Sequence, residues 1–241
     1  MIQTNTIHQC NKCASTNIRK NGKSSNNGKQ KYHCKDCNTY GILNAQPRYS
    51  EQEKEKALRI YQERASLRGV ERATGISRHT LAKWLKEKVN HQADLKQSLE
   101  TAQSNDVLEL DELWSFVGKK KNKCWLWIAL CRRTRQIVAF VIGDRSARTC
   151  ARLFTKIPQE YRKCKSFSDL WEAYGKVFSS KTHERVGKDQ GETNHIERFN
   201  NTLRQRIARY VRKTLSFSKK EAWHHLVTKF FMFNYNLTKS A

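Results

Sequence analysis

Apolar positions change period along the chain. Between residues 50 and 88 they recur at helical spacing: Ala57, Leu58, Ile60 and Tyr61 form one stripe, and Leu81, Trp84 and Leu85 another. From residue 106 the period shortens to two, with Leu108, Leu110 and Trp114 alternating against Glu109 and Asp111. The β-rich runs 124–131 and 137–143 follow, and the polar stretch Arg132 to Gln136 between them predicts a hairpin. Ser146 caps a helix carrying Ala151, Leu153 and Phe154 that stops near Pro158. Cys164 to Asp169 reads as a short strand, followed by a helix with Trp171, Tyr174 and Val177 and a polar loop holding His183. Thr193 opens a long helix whose apolar stripe is Ile196, Phe199, Leu203, Ile207 and Tyr210. A capping box, Ser218-Lys-Lys-Glu221, starts a closing core helix with Trp223, Leu226, Val227, Phe230 and Phe231.

Residues 8–40 lack such a period and carry cysteines instead. Cys10-Asn-Lys-Cys13 and Cys34-Lys-Asp-Cys37 are two pairs separated by twenty residues, the arrangement a tetrahedral four-thiolate zinc site requires. The alternatives are two chance pairs or a redox couple. A block this short cannot bury a real core, so bound metal would supply its folding energy. His8 and His33 are substitute ligands only if a cysteine fails. The loop between the pairs holds Arg19, Lys20, Lys23, Lys29 and Lys31 and no acid. Gly22-Lys23-Ser24 resembles the end of a phosphate loop, but the upstream glycine is replaced by Asn17.

After a short linker at Pro47, Ser66 caps a short helix containing Val70 and Ala73. Thr74-Gly75-Ile76-Ser77 then supplies a tight turn, a core plug and a cap. That alternation predicts a helix-turn-helix, with Arg78, His79, Thr80 and Lys83 on the face that enters a major groove. An ordinary three-helix packing unit is the alternative. Leu81, Leu85, Lys88, Gln92, Leu95, Leu99 and Ala102 follow a 4-3 spacing, but few are apolar, so residues 89–105 read as a solvated connector rather than a dimerising coil. The expected organisation is a zinc ribbon over 1–46, a helix-turn-helix domain over 47–90, a linker over 91–105 and a catalytic domain over 106–241.

Composition narrows the partners. The net charge is +25 with a pI near 10.0, and it is spread, +10 over residues 1–105 and +15 over 106–241. Such a charge calls for a polyanion: DNA, RNA, an acidic protein or, less well since no basic amphipathic helix has a free apolar face, an anionic membrane surface. With the helix-turn-helix, the expected partner is double-stranded DNA. Eight basic residues and no acid lie between Arg198 and Lys220, so Arg198, Arg206 and Arg209 are expected to follow the phosphate backbone. No eighteen-residue apolar run exists and the N-terminus lacks the apolar middle of a signal peptide. The expected location is therefore the cytoplasm, with reduced or metal-bound cysteines. Cys124, Cys131, Cys150 and Cys164 are unpaired by spacing and read as small buried groups. Trp125 and Trp127 read as core; Trp114 or Trp171 would lie near the acids, where a flipped base could stack.

Three acids stand out in this cationic background: Asp111 on the first strand, Asp169 at the end of a later strand, and Glu197 beside the apolar stripe of the long helix, with Asn201 and Arg204 on its own side. Carboxylates suit hard divalent ions, and two Mg²⁺ or Mn²⁺ ions can clamp the attacking and leaving oxygens of a phosphoryl displacement. Singly, each acid reads as a surface ion-pair partner; the trio in this order of strands and helices reads as a metal site.

The cysteine pairs, the helix-turn-helix and the segments LELDELWSFVG (108–118), SFSDLWEAY (166–174) and NHIERFNNTLRQR (194–206) resemble transposases of the insertion sequence one family over nearly the whole chain. The resemblance implies an α+β multidomain protein whose catalytic part is a ribonuclease H-like α/β domain with a mixed sheet. It implies Asp111, Asp169 and Glu197 as the DDE triad, with Arg204 and His195 as auxiliary catalytic residues. It also implies structural Zn²⁺, binding to terminal inverted repeats, metal-dependent cleavage and strand transfer, and a dimer or larger assembly on bacterial or archaeal nucleoid DNA. The competing readings are a DNA-binding repressor with an inactive catalytic domain and a structure-specific nuclease of the same fold.

Overall fold

A computed structural model describes residues 8–25, 28–42 and 49–239. The Pro47 linker and the expected boundary at residues 46 and 47 lie outside the described residues. The chain divides into two compact units, residues 1–51 and 52–241.

The first unit is an antiparallel three-stranded ribbon, β1 (Ile18–Lys23), β2 (Gln30–Cys34) and β3 (Tyr40–Gly41). It buries little beyond Cys10 and Cys34, so its cohesion comes from the cysteine cluster and the turns around it. Asp36 ties those turns together, accepting from Ser15 Oγ at 2.5 Å and Asn17 Nδ2 at 2.7 Å.

The second unit begins with α1 (Glu51–Tyr61), α2 (Leu67–Thr74) and α3 (Arg78–Asn90). Ser66 Oγ accepts from Gly69 N and Ser77 Oγ from Thr80 N, so both caps form as the sequence dictates. Gly75 at φ 72° makes the left-handed turn between α2 and α3, a conformation that costs other residues a clash at Cβ. Val70, Ile76, Leu81 and Leu85 are buried beneath it.

This helical trio packs on the remainder of the unit. Arg64 N donates to Arg206 O at 2.7 Å, Arg206 pairs with Glu63, and Gln92 Nε2 donates to Lys229 O at 3.2 Å. The stretch 91–105, expected as a solvated connector, is stitched down. It holds a short 3-10 turn (Leu95–Ser98), Ser98 is buried, and Leu99 and Ala102 pack against the core. Its apolar residues look sparse in sequence because backbone groups do much of the binding: Gln136 Nε2 donates to Ser98 O, Glu100 N to Gln136 Oε1, and Tyr161 OH to Glu100 O.

Five strands form the central sheet in the order β6-β5-β4-β7-β8. They are β4 (Val107–Phe116), β5 (Lys123–Cys131), β6 (Ile137–Gly143), β7 (Lys165–Ser168) and β8 (His183–Arg185). The first three are antiparallel hairpin neighbours, whereas β7 runs parallel to β4 and β8 parallel to β7. β8 falls where the sequence suggested only a polar loop. Its His183 is buried, with its ring nitrogens beside Ser166 and Ser168 hydroxyls, and a single buried side chain in three residues gives no readable period.

One face of the sheet carries α4 (Ala147–Lys156), α5 (Gln159–Arg162) and α6 (Glu172–Val177). Here Trp127, Tyr174, Leu108, Leu110, Cys150 and Leu153 make the core. The other face carries α7 (Asn194–Arg206) and α8 (Glu221–Leu237). α7 ends at Arg206, and Ala208–Tyr210 continue as a 3-10 turn instead of the longer helix expected. The expected capping box is not formed. Ser218 is fully buried with its hydroxyl on His224 Nδ1 at 3.0 Å, and α8 starts without a side-chain cap. Among the described residues no helix is long and apolar enough to cross a membrane.

Candidate active site

β4 and β7 lie side by side with Leu110 opposite Ser168, which brings Asp111 and Asp169 to the same level at the end of β7. Asp169 Oδ1 accepts from Trp171 N at 3.0 Å, turning the chain out of the strand and into α6. Asp111 Oδ1 accepts from Glu112 N at 2.8 Å and its Oδ2 from Asn200 Nδ2, on α7, at 2.6 Å. Glu112, the next residue on β4, joins them: one carboxylate oxygen from each of Asp111, Glu112 and Asp169 lies within 4.8 Å of the others. Glu197 lies outside that three-acid group. It is exposed in the first turn of α7, accepts from Thr193 Oγ1 at 3.2 Å, and is close enough for its charge to act on Asp111.

Burial pushes the Asp111 carboxyl up to about 7, and the charges of Glu112, Asp169 and Glu197 add to the effect. Burial also raises Glu112, with Asp169 adding to the shift. Arg145 opposes it, donating to Glu112 Oε1 from Nε at 2.8 Å and Nη2 at 2.5 Å, while the Tyr174 hydroxyl donates to Oε2 at 2.8 Å. Converging carboxylates that are costly to ionise together are what a hard divalent cation relieves. The donor set is all carboxylate oxygen with no soft ligand, and fits Mg²⁺ or Mn²⁺.

Glu109, two residues before Asp111, works differently. It is fully buried, and its Oε2 accepts from the backbone N–H groups of His195 at 2.9 Å and Ile196 at 3.0 Å. Oε1 takes Arg132 Nε at 2.8 Å and His195 Nδ1 at 2.6 Å. A carboxylate from β4 thus caps the N-terminus of α7, satisfying orphan amides and facing the positive end of the helix. Thr193, expected to open this helix, makes no side-chain cap bond.

The other anticipated residues fall into separate places. His195 points to Glu109. Arg204 donates from Nη1 to Tyr210 O at 2.9 Å; burial and the neighbouring Arg212 lower its basicity while Asp111 opposes that. Arg198 is exposed beside Glu197. Arg206 turns to Glu63 and the Phe231 ring, and Arg209 donates to Tyr61 OH, Ser216 O and Ser218 Oγ. Arg78, His79 and Lys83 are exposed along α3, with Thr80 half-buried against Ser77. Trp171 stacks on Arg145, whose guanidinium also covers Trp125.

Sequence reasoning missed Glu112, Arg145, Asn200 and the capping role of Glu109. Asn200 sits three residues past Glu197, the helical spacing that places it on the same face. The run Glu109-Leu-Asp111-Glu112 was the available signal for the others.

In the first unit, Cys10, Cys13, Cys34 and Cys37 bring their Sγ atoms within 4.8 Å of one another. The Cys10–Cys37 and Cys13–Cys34 separations are both 3.6 Å, near the roughly 3.8 Å between corners of a tetrahedron with metal–sulfur bonds of about 2.3 Å. Lys12 N donates to Cys10 Sγ at 3.4 Å, and Thr39 Oγ1, at 3.3 Å, brings the Cys37 thiol down to about 6. These four thiols can hold a metal ion.

Residues 106–236 match the protein family described as IS1 transposase. The chain is 39% identical over 121 residues to insertion element iso-IS1n protein InsB of Shigella dysenteriae, covering 50% of this chain and 89% of that protein. Insertion element IS1 protein InsB of Shigella flexneri is 38% identical over 119 residues, 49% of this chain and 88% of that one. Insertion element IS1 4 protein InsB of Escherichia coli strain K12 is 37% identical over 119 residues, 49% and 69% respectively.

Proposed function

The chain belongs to the IS1 transposase family, and from that premise we propose that it is a DNA transposase that binds terminal inverted repeats and carries out metal-dependent cleavage and strand transfer. The meeting of Asp111, inside β4, with Asp169, just past the end of the parallel neighbour β7, and with Glu197 in the first turn of α7 near enough for its charge to act on Asp111, carries this reading. The strand order, with three antiparallel strands followed by two parallel ones, supports a ribonuclease H-like catalytic domain.

In this reading Asp111, Asp169 and Glu197 hold Mg²⁺ or Mn²⁺, which when bound supplies Lewis-acid stabilisation of the charge that develops on the phosphate oxygens. Glu109 fixes the start of α7 and hence the place of Glu197. Asn200 orients Asp111. Arg198 and Arg204 offer positive charge to DNA phosphates beside the acids. His195, engaged with Glu109, acts on the reaction through α7 rather than on the phosphate. The four cysteines hold structural Zn²⁺. The exposed face of α3, with Arg78, His79 and Lys83, reads the repeat, and the basic ribbon follows the backbone. Joining two transposon ends implies a homodimer or larger assembly on DNA in the cytoplasm.

The test is to supply radiolabelled duplex carrying a terminal repeat, supercoiled target and Mg²⁺. Joining of repeat-bearing ends, and not of scrambled ends, is the expected result. Cleavage without joining would instead support a structure-specific nuclease, and repeat binding without cleavage a repressor.

A further inference from the structure

The geometry points to Glu112 as a fourth metal-holding carboxylate, closing a three-acid cation subsite with Asp111 and Asp169 that is distinct from the contribution of Glu197. The inference builds on the active-site reading above, but cation binding can be measured without DNA.

The first support is lone-pair accounting. Each carboxylate oxygen can accept two hydrogen bonds. Glu112 Oε1 takes both contacts from Arg145, whereas Oε2 takes the Tyr174 hydroxyl alone. Asp111 Oδ1 and Oδ2 each take one donor, and Asp169 Oδ1 takes Trp171 N. All three acids therefore keep acceptor capacity, with oxygens within 4.8 Å of one another.

The second support is charge. Arg145 is the cation directly bonded to this group of three acids, and its guanidinium is stacked 4.0 Å from the Trp171 ring centre and 4.6 Å from that of Trp125. Held between two rings, it fixes the Glu112 carboxylate in place but leaves the group short of positive charge. A Glu whose only task was to pair with Arg145 gains nothing from facing two further acids, since like charges at that distance repel.

The third support comes from a neutral side chain beside the acids. Asn200 is 6% exposed; its Nδ2 is bonded to Asp111, and its Oδ1 is buried with no partner. An unpartnered buried carbonyl oxygen costs about 1–3 kcal/mol. Such a carbonyl oxygen can coordinate a hard divalent ion or accept a hydrogen bond from water bound to one. Glu112 and Asn200 thus flank Asp111 from its two sides, one along β4 and one across from α7.

Mn²⁺ titration of the full zinc-loaded chain at pH 7.5 without DNA, read by electron paramagnetic resonance of the free ion, tests this. The wild type should bind two ions. Glu112→Gln should weaken one of them about tenfold or more, whereas Glu184→Gln, at an exposed acid paired with Lys165, should leave both unchanged. A Glu112→Gln protein that unfolds cooperatively yet binds both ions with wild-type affinity would overturn the assignment. Should the Gln variant fail to fold, Glu112→Asp keeps the charge and draws the oxygens back by one methylene. The same weakening is then expected, and wild-type affinity would again overturn it. Failure of wild-type strand transfer with two-ion binding intact would count against the transposase reading and leave Glu112 in place.

Discussion

Removing the charge of Glu109 tests how α7 is held. In the Glu109→Gln variant the new carbonyl can still accept from His195 N and Ile196 N. Its amide NH₂ then faces Arg132 Nε and His195 Nδ1, which now bond a fully buried carboxylate oxygen at 2.8 and 2.6 Å. Arg132 keeps Glu192 at 2.7 Å but loses its buried counter-charge. Breaking one side of a buried ionic network costs about 3–5 kcal/mol, and the surviving Glu192 contact places this case near 3. Urea unfolding at pH 7.5, analysed by linear extrapolation, measures that loss. Native-state hydrogen exchange should show faster exchange at residues 195–198, because a neutral amide carbonyl holds the first turn of α7 more weakly than the carboxylate it replaces. Glu197 lies in that turn, so strand transfer should fall along with the protection. A loss below about 1 kcal/mol with unchanged exchange in α7 would refute the view that a buried carboxylate on β4 anchors the helix.

Other expectations follow from the same structure. One zinc per chain should be found, and chelation should melt the ribbon (residues 8–42) while residues 52–241 keep their cooperative transition, as circular dichroism with metal analysis would reveal. Burial lowers both His183 and His224 to about 4. The unfolded chain therefore binds more protons between about pH 6.5 and 4, and stability present at neutral pH is lost as pH falls through that window. The loss is at most about 3 kcal/mol per histidine, and His183→Gln should flatten the dependence of the urea midpoint on pH. Arg198→Ala should weaken DNA binding and reduce the salt slope by about one, because its side chain is exposed beside the acids. Arg209→Ala should instead cost about 1–2 kcal/mol of stability and leave the salt slope alone, because its guanidinium serves Tyr61, Ser216 and Ser218.

Where one local rule dominates, the sequence could be read directly. Ser66, Gly75 and Ser77 define their helix ends through their own side chains or lack of one, and the β5–β6 hairpin follows from two apolar β-rich runs joined by the polar stretch 132–136. Asp111 and Asp169 were legible because each ends or lines a strand. What could not be read is set by contacts between distant segments. Glu109 and Asp111 share one face of β4 and look equivalent, yet one caps α7 and the other faces Asp169. Glu112 was passed over because strand alternation assigns it to the apolar face, where Arg145 and Tyr174, 33 and 62 residues away, receive it. Ser218 satisfies a capping pattern but is drawn to His224 instead. The basic run after Arg198 mixes the exposed Arg198 with Arg206 and Arg209, which bond Glu63 and Tyr61 of the helical trio. Charge counting cannot separate those roles.

The account rests on Asp111, Asp169 and Glu197 acting together on DNA phosphate, and strand transfer by the three amide variants tests it most directly. With repeat-bearing ends and Mg²⁺, Asp111→Asn, Asp169→Asn and Glu197→Gln should each bind the ends as the wild type does and yet join them about a thousandfold more slowly or worse. Wild-type joining by any one of them would contradict the account.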